Sequence, residues 1–149
     1  QPSDDMNEML PLRPALRLTG RLLQVKEMPA GSQCGYGLRY TFARDSRIGI
    51  VPIGYADGYF RCLTNKGSVR IRGQMAPVRG TVSMDQITVD LTGIPSAMLG
   101  DEVEILSPDP SAPHSAESLA RLAETIPYEV TCRLGARVRR KLVEDFGRP

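Results

Sequence analysis

Four of the chain's five tyrosines, Tyr36, Tyr40, Tyr55 and Tyr59, fall in two glycine-rich stretches, GYGLRY and GYADGYFR. A phenol titrates at about 10. It becomes a base near neutral pH only beside a cation or strong hydrogen-bond donors that favour the phenolate. Gly35 and Gly37 flank Tyr36 and would let a substrate or another chain approach its backbone closely. The same glycines equally make a plain turn over which Tyr36 packs. Tyr55 precedes Asp57-Gly58, a turn pair in which Asp57 can cap its own backbone. Its ring either covers the end of a barrel or stands at the mouth of a site. In TVSMDQ (81–86) a strand is expected through Ser83–Asp85, with Met84 in the core. Asp85 there is either a solvated strand residue or an orienting carboxylate.

Other chemistries find no support. There is no Ser-His-Asp set at a workable spacing, no HExxH, and no phosphate-binding glycine motif opening a helix. The single histidine, His114, stands in a proline-rich stretch expected to be a loop and has no partner histidine for a metal. Cys34, Cys62 and Cys132 are odd in number and form no CxxC, so neither a disulfide framework nor a zinc site is expected. A reducing cytoplasm fits that cysteine usage best. Net charge is +2 with acids and bases interspersed, which gives no reason to expect nucleic acid or membrane as partner. The tail RLGARVRRKL concentrates basic residues and reads as a solvated strand face. No window is apolar enough to span a bilayer, and the first residues carry no signal-peptide pattern.

The elements that must position these residues are mostly short strands. Residues 11–27 alternate apolar with polar, and Pro14 and Gly20 speak against a helix there. RIGIVPI (47–53) reads as a strand buried on both faces, with Pro52 at an edge or strand end. SVRIRGQMAPVRG reads as a hairpin turning near Arg72–Gln74. Ile87, Val89 and Leu91 share a face, as do Val103 and Ile105 after a turn at Gly100-Asp101. SAESLARLAETI (115–126) is the one credible helix, with Ser115 as N-cap and Pro127 as stop. EVTCRLGARVRRKL is expected to return to strand. The expected fold is mainly β: a Greek-key-like closed or partly closed barrel of about seven or eight strands with one late helix. Residues 1–10 read as a linker from a preceding domain, and 11–149 as the β domain.

GYGLRYTF, IGIVPIGYADGYFR and GTVSMDQITVDL resemble, in order and spacing, the C-terminal domain of alanine racemases. LRPALRLTGRLLQVKEMPAG is similar to that family's first strand region, and PYEVTCRLGARVRR to its closing segment. The resemblance covers residues 11–141. It implies a fold-type III enzyme dependent on pyridoxal phosphate, an electron sink for a carbanion at Cα. It also implies a homodimer in which this domain covers the barrel mouth of the partner subunit. Two bases on opposite faces would exchange the proton of a small amino-acid substrate. On this resemblance Tyr36 is the tyrosine base, and Met84 lends a backbone N–H to the substrate carboxylate. Asp85 helps orient the site, while Tyr55 and Arg61 line the narrow substrate access. The Schiff-base lysine and the phosphate site belong to an N-terminal barrel. Lys26, Lys66 and Lys141 stand in the wrong context for that lysine, so no cofactor-binding residue is expected in this chain.

The chain departs from the family at Thr81, where many members have Arg, and at Ala136, where some have Tyr. RVRR also replaces the commoner RVPR. The first two bear on the width of the site. A serine or broad-specificity racemase is therefore one alternative. A non-catalytic β interaction module, with tyrosines that only pack, is another.

Overall fold

The structure is a computed structural model that describes residues 14–143. The expected linker over 1–10 lies outside them. Strands β1 (Leu18–Arg21), β2 (Gln24–Met28), β5 (Ser46–Val51), β6 (Ser68–Ile71), β7 (Gln74–Arg79), β8 (Ile87–Asp90) and β9 (Glu102–Leu106) form one seven-stranded sheet. Its order is β1-β9-β6-β7-β8-β5-β2, antiparallel throughout. A separate two-residue pair, β3 (Gln33–Cys34) and β4 (Tyr40–Thr41), carries the GYG turn.

The sheet's two edge strands are consecutive in the chain, with only Leu22 and Leu23 between them. The Leu22 N–H donates to Asp101 O, next to β9, and the Leu23 N–H to Ile50 O of β5, at 3.0 and 2.9 Å. A sheet whose edges lie two residues apart must roll up, and the result is the expected partly closed barrel. Leu22 is buried at the seam. A side chain on Gly49 of β5 would run into it, at 2.6 Å from Leu22 Cδ2. The alternation read from the sequence fills the interior, with Val69, Ile71, Val78, Val89, Val103 and Ile105 pointing inward. The β6–β7 hairpin turns at Arg72-Gly73, both with positive φ (48° and 78°), as a type I′ turn requires. Pro52 follows the last residue of β5, a strand-end position as expected.

Helix α1 (Ala116–Ala123) starts where expected, and Ser115 Oγ accepts the Ser118 N–H. It ends three residues earlier than the pattern suggests, at Glu124 in the left-handed region. Pro127 does not stop this helix but opens another, α2 (Pro127–Cys132), since a proline at the first helical position gives up no needed donor. The expected closing strand is therefore not formed. Residues 127–132 are helical and 133–143 hold no ladder. With β1 and β2 meeting at the seam, the barrel leaves this segment no edge to join. Leu119, Ala120 and Val130 of the two helices complete the core instead.

His114 is buried rather than on an open loop. Its Nε2 lies 2.9 Å from Glu104 Oε1, while Arg17 Nε donates to Glu104 Oε2 at 2.6 Å. The carboxylate thus ties β9 to the residue before β1 and to the approach of α1. Burial works to raise the Glu104 pKa, but the bonds from Arg17 and His114 outweigh it and hold the carboxyl below its usual range. A carboxyl lowered on folding contributes stability above its unfolded pKa and loses that contribution as pH falls through the folded value. Melting temperature should therefore fall between about pH 5 and pH 3, with part of the slope due to this group. Circular-dichroism melts of Glu104→Gln are expected to show a lower Tm at neutral pH and a shallower acid slope. An unchanged slope would count against the node.

Candidate functional site

The two glycine-rich stretches meet on the third motif, residues 80–86, which links β7 to β8. The expectation of a strand through Ser83–Asp85 fails here. Gly80 turns the chain with φ 75°, and the Ser83 N–H donates to Gln86 O at 3.1 Å, so β8 begins only at Ile87. Met84 is consequently not in the core but 58% exposed.

At one end of the segment lies the Tyr36 turn. Gly35 has φ 78°, and a Cβ there would sit 2.5 Å from Thr81 N and 2.9 Å from Gly80 Cα. Conformation and space both require glycine. The Leu38 N–H donates to Gly35 O and closes the turn, and the Thr81 hydroxyl donates to Tyr36 O at 2.7 Å. The Tyr36 ring projects outward, 81% exposed. No guanidinium or ammonium of the described residues bonds its hydroxyl.

At the other end lies the 3-10 turn Tyr55–Asp57. A Cβ on Gly54 would collide with Ser83 O and the Met84 carbonyl. That close approach lets the Tyr55 N–H donate to Ser83 O and the Ala56 N–H to Met84 O, at 3.1 and 2.9 Å. The Met84 N–H makes no hydrogen bond within the described residues and is left as a donor beside Tyr55. Tyr55 itself is 39% exposed.

Residues that the sequence did not single out hold this arrangement. Asn65 Oδ1 accepts the Gly80 N–H at 2.6 Å, and its Nδ2 donates to Arg39 O at 3.2 Å. Thr64 Oγ1 accepts the Val82 N–H at 3.2 Å. Asp57 is buried and caps its own turn as expected, taking the Gly54 N–H on Oδ2 at 3.0 Å. Its Oδ1 receives both Nε and Nη2 of Arg137, at 3.0 and 2.8 Å. One arginine of the basic tail is thus a structural partner, not part of a solvated strand face. The only signal for it was an Asp in a turn that would be costly to bury unpaired.

Of the five sequence-predicted residues, Tyr36, Tyr55 and Met84 are brought to the same segment. Asp85 is exposed beside Met84 and pairs with none of them. Arg61 is exposed on the short 3-10 turn Arg61–Leu63, three residues before the Thr64 that grips Val82. The other clustered tyrosines serve packing. The Tyr40 ring lies edge-on to Phe42 and under the Arg79 guanidinium. Tyr59 is buried, and burial pushes its phenol well above the usual tyrosine range.

The motif-bearing rim lies apart from a cleft of about 1310 Å³ that is lined by residues such as Leu16, Ile53, Asp57, Arg137 and Lys141, and by none of Tyr36, Tyr55 or Met84. Tyr36, Tyr55 and Met84 instead stand open to water on the rim.

The sequence pattern of the family described as alanine racemase, C-terminal domain, matches residues 15–142. The chain belongs to the alanine racemase C-terminal domain family. It is 42% identical to an alanine racemase of Halothermothrix orenii over 99% of this chain and 39% of that relative. An alanine racemase of Clostridium difficile in complex with cycloserine superimposes with a TM-score of 0.85 at 38% identity, over 93% of this chain and 36% of that one. An alanine racemase of Bartonella henselae with covalently bound pyridoxal phosphate gives a TM-score of 0.78 at 35% identity, over 85% of this chain and 34% of that one. The chain therefore spans about two-fifths or less of the length of these alanine racemases.

The described residues do not fit a covalent anchor for such a cofactor. Lys26 lies in β2, Lys66 in the turn after Leu63 and Lys141 in the C-terminal segment, and none bonds to 80–86. Among the described residues no group of three or more His, Cys, Asp or Glu could hold a metal ion. No helix among them is long and apolar enough to cross a membrane.

Arg137→Leu should unpair the buried Asp57 carboxylate and loosen the Tyr55 turn. A loss of about 1–3 kcal/mol is expected, read as a lower urea midpoint. A midpoint equal to that of the parent protein would show that the ion pair does not hold the turn.

Proposed function

We propose that this chain is the β domain of a pyridoxal-phosphate-dependent alanine racemase, and that its motif-bearing rim is one wall of the active site. The observation that carries the reading is the assembly on residues 80–86: an outward phenol, Tyr36, and an unused main-chain donor, Met84 N–H. The phenol moves the Cα proton on one face of the amino acid, and a lysine outside this chain serves the other face. The Met84 N–H takes the substrate carboxylate, with Asp85 beside it orienting the site. Tyr55 and Arg61 narrow the access, which favours a small side chain and keeps water from the carbanion. Pyridoxal phosphate, held by an N-terminal barrel, supplies the electron sink.

The openness of the rim supports a partner. A base in bulk water gains little from its surroundings, so a second surface must cover it. We place that surface on the barrel of a second subunit, making the enzyme a homodimer. Its product would supply D-alanine for peptidoglycan, and the reaction belongs in the cytoplasm.

Tyr36→Phe in the complete enzyme is expected to lower the rate of D-alanine formation by about 10²–10⁴-fold. The isolated chain, given cofactor and L-alanine, should form none. Racemisation by Tyr36→Phe at the parental rate would make the tyrosine a packing residue and sink the assignment. Turnover by the isolated chain would sink the division of labour.

A further inference from the structure

The Tyr36 ring is held by little. Its side chain projects into solvent, and the one hydrogen bond that any described residue makes to Tyr36 is that from Thr81 Oγ1 to its carbonyl, at 2.7 Å. Thr81 is the opposite case. It is 6% exposed, and its neighbours on both sides are pinned, the Gly80 N–H to Asn65 Oδ1 and the Val82 N–H to Thr64 Oγ1. Beneath the bond, Gly35 lies against the Gly80–Thr81 backbone with no room for a Cβ. The glycine contact sets how close the turn sits. Being flat and without side chains, it leaves the turn free to rock, and the hydroxyl supplies the directional restraint. The phenol oxygen stands at the end of a long lever. A main-chain tilt of about 10° displaces it by about 1 Å, and errors of that order can cost about 10²-fold in rate.

We infer that Thr81 is a positioning residue for the Tyr36 base, its buried hydroxyl fixing the turn that aims the phenol. The inference rests on the reading of Tyr36 as a base. It makes Thr81 part of the proton-transfer apparatus without contact to substrate or cofactor.

The test uses the complete enzyme with Thr81→Val, which keeps shape and removes the hydroxyl, and the pair Thr81→Ser and Thr81→Ala, which differ only in the hydroxyl. Val and Ala should lower kcat by roughly 10- to 100-fold with little change in KM, while Ser stays within about threefold of the parent. In a two-base reaction Tyr36 removes the proton from only one enantiomer. The kinetic isotope effect on Cα-deuterated alanine should therefore rise for that enantiomer alone. Independently of turnover, amide hydrogen exchange at Leu38, whose N–H closes the turn on Gly35 O, should quicken several-fold in Val and Ala and not in Ser.

Parental kcat and isotope effects in Val and Ala would overturn the inference even if Leu38 exchange rises, because the bond would then be structural only. Loss in Ser equal to that in Ala would also overturn it, by assigning the effect to the methyl group. If Val does not fold, the Ser and Ala pair decides. Tyr36→Phe run alongside separates the two levels. If it is inactive while Val and Ala are not, only the role of Thr81 fails; if it is active, the base assignment fails and this inference with it.

Discussion

The rim depends on two places where backbone touches backbone with nothing between. Gly35 lies on Gly80 and Thr81, and Gly54 lies on Ser83 and Met84. A single methyl group at either position would push a motif away from the segment that joins them. Hydrogen bonds add direction to these contacts: the Thr81 hydroxyl donates to Tyr36 O, the Tyr55 and Ala56 N–H groups donate to the Ser83 and Met84 carbonyls, and the Gly80 N–H donates to Asn65 Oδ1. The barrel sets the ends of each piece, but the working geometry comes from these close approaches. That is why glycines stand directly before Tyr36 and Tyr55.

The Asp57–Arg137 pair extends the same logic to the far end of the chain. The turn that presents Tyr55 would be a short, exposed 3-10 piece if left alone. Its carboxylate instead closes the turn on Gly54 N–H and reaches a guanidinium 80 residues later, while Gly135 N–H donates to Asp57 O. The C-terminal segment thus backs the site without forming a strand.

What was legible in the sequence was local. Arg72-Gly73 announces its own turn type, Ser115 its cap, and the alternation of Ile87, Val89 and Leu91 its inward face. The rest was hidden for physical reasons. PYEVTC is too short for its apolar spacing to separate helix from strand. What decides between them is whether a sheet edge is free, and the seam at Leu22–Leu23 is a property of the whole barrel. Val82 and Met84 alternate like a strand, yet Gly80 and the Ser83–Gln86 turn bend the chain out of one. Nothing local distinguishes Arg137 from the four other basic residues around it, or marks Thr81 and Asn65, whose partners are distant in sequence. Tyr36, Tyr55 and Met84 are singled out by the resemblance, with glycine spacing as the only independent hint that they converge.

The seam has a consequence for how the domain comes into being. β2 finds its partner β5 about twenty residues on, but β1, two residues earlier, must wait for β9, with Thr19 opposite Glu104. During synthesis the first strand is therefore unpaired until about two-thirds of the domain has left the ribosome. Contacts of such sequence separation slow folding and leave an edge open to wrong partners in the meantime. The join that brings the barrel's two edge strands together in the finished protein is also among the last strand pairings the growing chain can make.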